Sequence, residues 1–495
     1  MKVKIKTKIS PMKYTCPFEL YSKISEKGNL MSLLFESKSP NQKYERKSMI
    51  VANLALKIVG KNENFTITAL NKAGEKILSF FNKKDFSYST NFTQTDKSIS
   101  GKVEKKENNE LSEEENEKLA NISFVIKTIL NKFESENDYA GLYGVFAYDF
   151  AKNFYKVKEK QIDLGEKDFE LFLPTKVYVM YDDEKRAEEL DFYFNGKKFI
   201  EEKAVKGFEF KKETKQIKQD LNDEEYKKIV QKTINDIKNG RAMQCVLSRK
   251  TEVTLQKHPF ESYKDLRETN PSPYSFYYNL GENEILYGAS PEMHIKIDVT
   301  SKGRELQIRP IAGTITRSNN PLEDSENRKQ LLNDEKEIRE HTMLVDLARH
   351  ELYKLCSAKS VEVTDLYTLE TYPNLYHLVS GVKGILKKDK DSIDALLVTL
   401  PAGTLSGAPK QEAMNMIEAY EGSKRGFYGG ASGLVSFNGG CNTGITIRSV
   451  HVRNKKSEIR SGAGITSLST PEGELNEIKL KISKALNVLE EKKWK

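Results

Sequence analysis

The sequence predicts a chain of mixed α and β structure, and three patterns in it do so. Some stretches alternate apolar and polar residues with the period of two that a half-buried strand requires, as in FTITAL (65–70) and KVYVMYDD (176–183). Others place apolar residues every three or four positions. In ANISFVIKTILNKF (120–133), Ile122, Val125, Ile126, Ile129 and Leu130 fall on one helical face. Glycine-rich segments then become frequent in the second half of the chain, where turns between strands would need them.

The elements follow in chain order. MKVKIKTKIS, at the start, alternates Lys with apolar residues and is expected to form an edge strand. It lacks the apolar stretch and small-residue cleavage site of a secretory signal. KVEKKENNELSEEENEKL (102–119) is charged and poor in aliphatics, and reads as a mobile loop leading into a helix from near Ser112. KKETKQIKQDLNDEEYKK (211–228) reads as the connection between an N-terminal domain, 1–215, and a C-terminal domain, 216–495. Asn222 or Asp223 should cap a helix running through Ile229, Ile234 and Ile237 and ending at Asn239 and Gly240. Two further helices are expected in DEKEIREHTMLVDLARHEL (334–352) and PEGELNEIKLKISKAL (471–486).

Composition excludes several classes of function. The 495 residues are 38% hydrophobic and 31% charged, and no run approaches the roughly 20 apolar residues that span a bilayer. The formal net charge is +8. Lys is spread along the chain beside Asp and Glu instead of clustering on a motif, so neither nucleic acid nor membrane is an expected partner. A mild positive field suits an anionic substrate. Cys16, Cys245, Cys356 and Cys441 have no metal-ligand spacing and make no disulfide framework, which points to a reduced, cytoplasmic setting.

The residues that carry chemistry lie mostly after 240. Glu337 and Glu340 are three apart on the expected helix 334–352, and Glu474 and Glu477 repeat that spacing near the C-terminus. Either pair alone is an ordinary solvated face. Together they are an all-oxygen set suited to a hard cation such as Mg2+. RPIAGTITR (309–317), PAGTLSGAPK (401–410), RGFYGGASG (425–433) and RSGAGITS (460–467) put Gly beside hydroxyl residues, so backbone amides could approach an anion closely. Thr314, Thr404 and Ser406 add hydroxyl donors, and Arg448 and Lys481 add cations for carboxylates. There is no nucleotide motif, no GxSxG and no evident Cys/His nucleophile. His377 sits in the apolar stretch YPNLYHLVSGVKG (372–384), where it is either a core residue or a proton shuttle.

In one order, NPSPY (270–274), ASPE (289–292), RPIAGT, DEKExxEHxMLVDLAR, HLVS (377–380), PAGTLSGAPK, YGGASG (428–433), TGITIRS (443–449) and GAG (462–464) resemble the chorismate-utilising enzymes. Among these the chain is most similar to the large, chorismate-binding subunits of anthranilate synthase. Ala312 stands where related aminodeoxychorismate synthases carry a nucleophilic Lys. Gln244 stands where isochorismate and salicylate synthases carry a basic Lys, and an amide cannot be that base. LLFES (33–37) with Lys47 looks like the element that, with NPSPY, binds tryptophan as feedback inhibitor. Ser275 departs from the Met common in relatives, and ARHELYKLC (348–356) from the commoner ARNDLGRVC type.

The resemblance implies an α+β fold: two antiparallel β-sheets packed as a sandwich, with helices outside. It implies Mg2+-dependent amination of chorismate and loss of pyruvate to give anthranilate, the first committed step of tryptophan biosynthesis. By its terms Glu340 and Glu477 ligate Mg2+, and Glu337 and Glu474 hold metal-bound waters. Tyr428, Arg448 and the backbone of Gly462, Ala463 and Gly464 bind the enolpyruvyl carboxylate, and Lys481 contacts the ring carboxylate. Glu292 is the acid for the departing 4-hydroxyl and His377 removes the C2 proton. Gly313, Thr314 and Thr404 line the site. Glu36, Ser37, Lys47, Pro273, Tyr274 and Ser275 form the tryptophan pocket. With no amidotransferase module in the chain, ammonia is expected from a glutamine amidotransferase partner, in a heterotetramer. The rival readings are an aminodeoxychorismate synthase and an idle, tryptophan-binding regulatory subunit.

Overall fold

The computed structural model describes residues 2–38, 46–104, 119–158, 160–161, 165–199, 204–372 and 375–490. The expected helix start near Ser112 lies outside them. The strands join into one hydrogen-bonded network, antiparallel except where Val3 and Lys4 run parallel to Phe133 and Glu134.

Two long strands, Lys47–Lys61 and Phe169–Tyr181, pair along their length and make a corner. There the register slips between Leu54 and Leu56, beside Pro174, whose ring nitrogen has no hydrogen to give. Asn53 takes a left-handed conformation at the same place, φ 49°. On one side of the corner, Ser32–Glu36 leads through Tyr274–Gly281, Glu284–Ser290, Ser449–Arg453 and Lys456–Ile465 to Gln244–Thr254. On the other, Gly141–Phe146 leads through Ala431–Ser436, Cys441–Ile445, Met293–Thr300 and Gly303–Ile308 to Leu375–Ile385.

The two wings fold over a shared core. Leu33, Leu247, Phe276 and Tyr278 of the first wing belong to the same buried cluster as Leu142, Ile297, Ala431 and Val435 of the second. The ring of Phe35 lies 5.0 Å from Tyr278 and 5.9 Å from Tyr143, across the two wings. Neighbouring residues on the same strands point the other way, because side chains alternate along a strand. Leu34, Ile50, Tyr277 and Tyr287 meet Tyr21, Phe260, Tyr263 and Ile482 from the helices Pro17–Ile24, Pro259–Thr269 and Pro471–Leu489. This is the expected α+β sandwich with helices outside. Among the described residues, strand pairing crosses position 215 twice, through Ser32–Glu36 on Tyr274–Gly281 and Gly141–Phe146 on Ala431–Ser436, so the two halves of the chain share both wings.

Local signals produce the expected elements. Val3–Met12 pairs along Arg186–Phe194 on one side and over only two residues on the other, as a near-edge strand. The Asn222 side chain accepts from the Glu225 amide at 2.9 Å while the Glu225 carboxylate accepts from the Asn222 amide at 2.7 Å. The helix so started, Asp223–Lys238, stops at Asn239 before Gly240 with φ +82°. Ser123–Lys132 buries Val125, Ile126 and Ile129. Among the described residues no helix is long and apolar enough to cross a membrane.

Candidate active site

The helix Glu335–Leu355 starts at Asp334, whose carboxylate accepts from the amides of Lys336 and Glu337 at 2.9 and 3.1 Å. Its first turns present Glu337 and Glu340 to the wings. Glu340 Oε1 accepts from Gln244 Nε2 at 3.0 Å. A Cβ on Gly464 would lie 2.6 Å from that nitrogen and 3.7 Å from Glu340 Oε1, and one on Gly313 would lie 3.4 Å from Glu337 Oε2. Gly313 also has φ +89°, a conformation side chains disfavour. The glycines of RPIAGT and GAG therefore let two strands close onto the acidic helix.

The second acidic pair arrives on Pro471–Leu489, capped by Thr470, whose hydroxyl accepts from the Gly473 amide at 3.2 Å. Lys481 Nζ donates to Gly462 O at 2.9 Å and to Glu477 Oε1 at 2.6 Å. The four carboxylates feel one another. Burial first, and then repulsion from Glu340, raises the pKa of Glu337. Burial raises that of Glu340 against the Gln244 hydrogen bond, with Glu477 adding repulsion. Burial raises that of Glu474 against a bond from Ser469, again with repulsion from Glu477. Glu474 Oε2 is buried with no hydrogen-bond partner among the described residues. Among those residues no three acidic, His or Cys side chains stand close enough to hold one ion. The arrangement is two carboxylate pairs within electrostatic reach of each other, with Lys336 and Lys481 set against four carboxylates and one oxygen orphaned. It fits Mg2+, which takes one or two carboxylates and keeps the rest of its shell for water and an anionic ligand.

Above the acidic pairs, Thr314 and His377 are cross-strand partners, with Oγ1 and Nδ1 2.7 Å apart. Burial, with Arg448 adding to it and a hydrogen bond to the Gly313 backbone opposing, holds the imidazole down at about 4. His377 is thus neutral near pH 7 and can take a proton. Glu292 is 6% exposed and accepts from Thr404 Oγ1 at 3.0 Å. Burial pushes its carboxyl up to about 8, against the bonds from Thr404 and the Ile311 amide. It is thus protonated near pH 7 and can give a proton. Thr404 is held by the short turn Gly403–Leu405, where Gly403 lies so close to Leu347 that a Cβ would sit 2.6 Å from Leu347 Cδ2.

Arg448 has a left-handed backbone, φ 50°. Its guanidinium makes no ion pair or hydrogen bond within the described residues, and burial lowers its pKa against the pull of Tyr428 and Glu477. Such a group is a ready carboxylate receptor. The Tyr428 hydroxyl is 3.1 Å from where a Cβ on Gly462 would be, so Tyr428, Gly462, Ala463 and Gly464 form one wall. A buried network supports that wall: Glu421 accepts from the Ser248 amide at 2.7 Å and from Arg425 Nε at 3.0 Å and Arg460 Nη1 at 3.2 Å. The sequence did not single out Glu421, Arg425 or Arg460, although RGFYGGASG opens on Arg425 and RSGAGITS on Arg460.

The residues of the LLFES and NPSPY elements come together elsewhere. Glu36, Ser37, Lys47, Pro273, Tyr274 and Ser275 all line one cavity of about 380 Å³ between the wings. The Glu36 carboxylate is engaged at its edge: Arg267 donates to it at 2.6 and 2.8 Å and Tyr263 at 2.7 Å. Glu36 therefore anchors the cavity rim with both oxygens occupied. Arg267 and Tyr263 were not legible as its partners.

Comparison with known proteins places the chain in a family. A model of the family described as chorismate binding enzyme matches residues 75–487. Anthranilate synthase component 1 of Acetivibrio thermocellus is 34% identical over 401 residues, covering 74% of this chain and 80% of that protein. Its counterpart in Buchnera aphidicola is 32% identical over 488 residues, covering 92% of each. The crystal structure of anthranilate synthase component I from Streptococcus pneumoniae superposes with a TM-score of 0.67 at 25% identity, covering 90% of this chain and 92% of that one. An isochorismate synthase from Escherichia coli shares the fold at 15% identity, with a TM-score of 0.67. The matched span takes in the acidic helices, the Glu292–Thr404 and Thr314–His377 contacts and the glycine wall, and the chain belongs to the chorismate binding enzyme family.

Proposed function

We propose that this chain is an anthranilate synthase large subunit: it aminates chorismate with ammonia and eliminates pyruvate to give anthranilate. The observation that carries this reading is a buried carboxyl and a buried imidazole, Glu292 held by Thr404 and His377 by Thr314, whose burial favours an acid in the first and a base in the second. Arg448, Tyr428 and the Gly462, Ala463 and Gly464 backbone bind the enolpyruvyl carboxylate, and Lys481 the ring carboxylate. Glu292 gives its proton to the 4-hydroxyl as that group leaves and ammonia adds at C2. His377, oriented by Thr314, then takes the C2 proton as pyruvate departs. Mg2+ held by Glu340 and Glu477, with Glu337 and Glu474 on its waters, would neutralise the ring carboxylate and favour attack on the ring.

Ala312 and Gln244 support this choice of reaction within the family. Ala312 has no amine to form a covalent adduct, and Gln244 spends its amide on Glu340. Ammonia comes from a separate glutamine amidotransferase subunit, tryptophan binds the cavity at Glu36, Ser37, Lys47, Pro273, Tyr274 and Ser275 as inhibitor, and the complex works in the cytoplasm. The test is turnover of chorismate with ammonium and Mg2+, following anthranilate fluorescence and pyruvate together. A product that keeps its enolpyruvyl group, with no pyruvate, would make the chain an aminodeoxychorismate synthase; no turnover would leave the regulatory reading. Within the reaction, Glu340→Gln should abolish Mg2+-dependent turnover and His377→Met should block anthranilate release. Wild-type rates in either variant would remove that residue from its role.

A further inference from the structure

Lys410 closes PAGTLSGAPK and takes no part in the site above, yet it is a buried ammonium. It begins the helix Lys410–Tyr420, donates to Thr399 O at 2.8 Å and pairs with Glu351, which is 7% exposed. Glu351 lies on the same helix as the metal-site carboxylates, three turns further on. Between this pair and the catalytic acid there is a chamber of about 30 Å³, lined among others by Glu292, His294, Arg309, Glu351, Thr399 and Thr404. That is room enough for a water molecule, and the walls offer the several polar partners a buried water needs. His294 is fixed on both sides, by Thr443 Oγ1 at 3.1 Å and Thr399 Oγ1 at 3.0 Å, so it shapes the chamber without being free to turn.

We propose that this chamber recharges the acid: water in it passes a proton from the buried Glu351–Lys410 pair to Glu292 after each turnover. The inference rests on the assignment of Glu292 as the acid. When the C4–O bond breaks, the Glu292 O–H bond breaks with it, water leaves, and a carboxylate remains. A chamber water gives that carboxylate a proton and takes one from the pair. The pair is refilled from solvent on the side of Lys354 and the exposed His350. The proton lost by the added nitrogen balances the one consumed, so no co-reactant is needed. The groups around the pair are Lys354 and His350 on its own helix, His294, and Tyr155, whose ring centroid is 5.6 Å from Lys410 Nζ; the chamber adds Glu292 and Arg309, whose guanidinium is tied to Asp365 and Glu370. Burial raises the pKa of Glu351 and lowers that of Lys410, which brings the two closer to sharing a proton. The mouth of the site, meanwhile, is filled by substrate when Glu292 needs its proton back.

The test separates first from later turnovers. Stopped-flow anthranilate fluorescence on the full chain, with chorismate, ammonium and Mg2+, should show an unchanged first turnover in Glu351→Gln. Later turnovers should slow about tenfold or more and carry a larger solvent deuterium isotope effect. Ala348→Val, which narrows the chamber without changing any titratable group, should give the same split, and Glu351→Asp should restore the later turnovers. A first turnover slowed as much as the later ones, or no change in either, overturns the relay. A second readout does not depend on turnover. In the resting protein, the infrared carboxyl band of Glu292, assigned by difference against Glu292→Gln, should exchange with D2O more slowly in Glu351→Gln and in Ala348→Val. Unchanged exchange overturns the relay even if chorismate proves not to be the substrate, and failure of wild-type turnover alone counts against the proposed function.

Discussion

At Glu292 and His377 the fold reverses the ordinary order of two side chains. A carboxyl with an ordinary value of 4.5 titrates near 8, and an imidazole with an ordinary value of 6.5 titrates near 4. Burial drives both shifts, because it disfavours whichever form is charged. The pH profile of kcat/KM should therefore hold a plateau from about 4 to about 8, falling on the acid side as His377 protonates and on the alkaline side as Glu292 ionises. Glu292→Gln should cut kcat by about 10²–10⁴-fold and remove the alkaline limb; an alkaline limb that survives in the variant assigns it to another group. Stability is linked to the same shift. The folded state holds the Glu292 proton more tightly than the unfolded chain, so between about 4.5 and about 8 rising pH costs stability, by a few kcal/mol at most. Denaturant melts of Glu292→Gln and wild type should agree near pH 4 and diverge in favour of the variant by pH 8. Gly464 poses a different problem. A Cβ there meets only the tip of the Gln244 side chain, so Gly464→Ala should fold normally while Gln244 swings off Glu340. The Mg2+ concentration for half-maximal turnover should rise about 10–100-fold, the usual cost of losing a partner that orients a metal ligand. An unchanged Mg2+ requirement would show that Gln244 does not orient Glu340.

At the scale of the element, the helices that carry the four carboxylates depend on their first turns. Thr470→Ala removes the hydroxyl that accepts from the Gly473 amide and should cost about 1 kcal/mol. The loss falls on the first turn, which holds Glu474 and leads into Glu477, so the Mg2+ requirement should rise in the same variant; a stability loss without any change in Mg2+ dependence would mean that the helix start does not set the metal site. Elements of this kind were legible because their signals are local. Asn222 with Glu225, Asp334 ahead of Lys336 and Glu337, and the one-faced apolar pattern of 120–133 each act within a few residues. The spacing of Glu337 with Glu340, and of Glu474 with Glu477, was visible for the same reason. Their convergence was not, because it depends on strands that bring Gln244 to Glu340, 96 residues away. Nor was the commitment of Glu36 to Arg267, 231 residues apart. The order of strands around the corner of Lys47–Lys61 and Phe169–Tyr181 leaves no trace in period or composition; resemblance to a known family supplied the sandwich.

The whole molecule places two cavities in one continuous network, the acid's chamber and the larger one between the wings, and Met293 and Arg309 line both. The larger cavity is lined by strands of both wings: Glu36 and Ser275 on the first, Ser432 and Asn442 on the second. Met293, which follows Glu292, lines both cavities, so a rearrangement around the larger one has a direct route to the acid. If tryptophan is that ligand, binding must stabilise the folded chain, by about 2.7 kcal/mol at a hundredfold excess over Kd. The coupling must also be mutual: the factor by which tryptophan weakens binding of chorismate equals the factor by which chorismate weakens binding of tryptophan, in the usual range of about 5–150-fold. Calorimetric titration of tryptophan, with and without a chorismate analogue that cannot react, measures one factor, and titration of the analogue with and without tryptophan measures the other. Factors above one establish the cavity between the wings and the chorismate site as a coupled pair. A factor of one shows that tryptophan, if it binds, does so without reading the active site, and an absence of tryptophan binding removes the cavity between the wings as an inhibitor site.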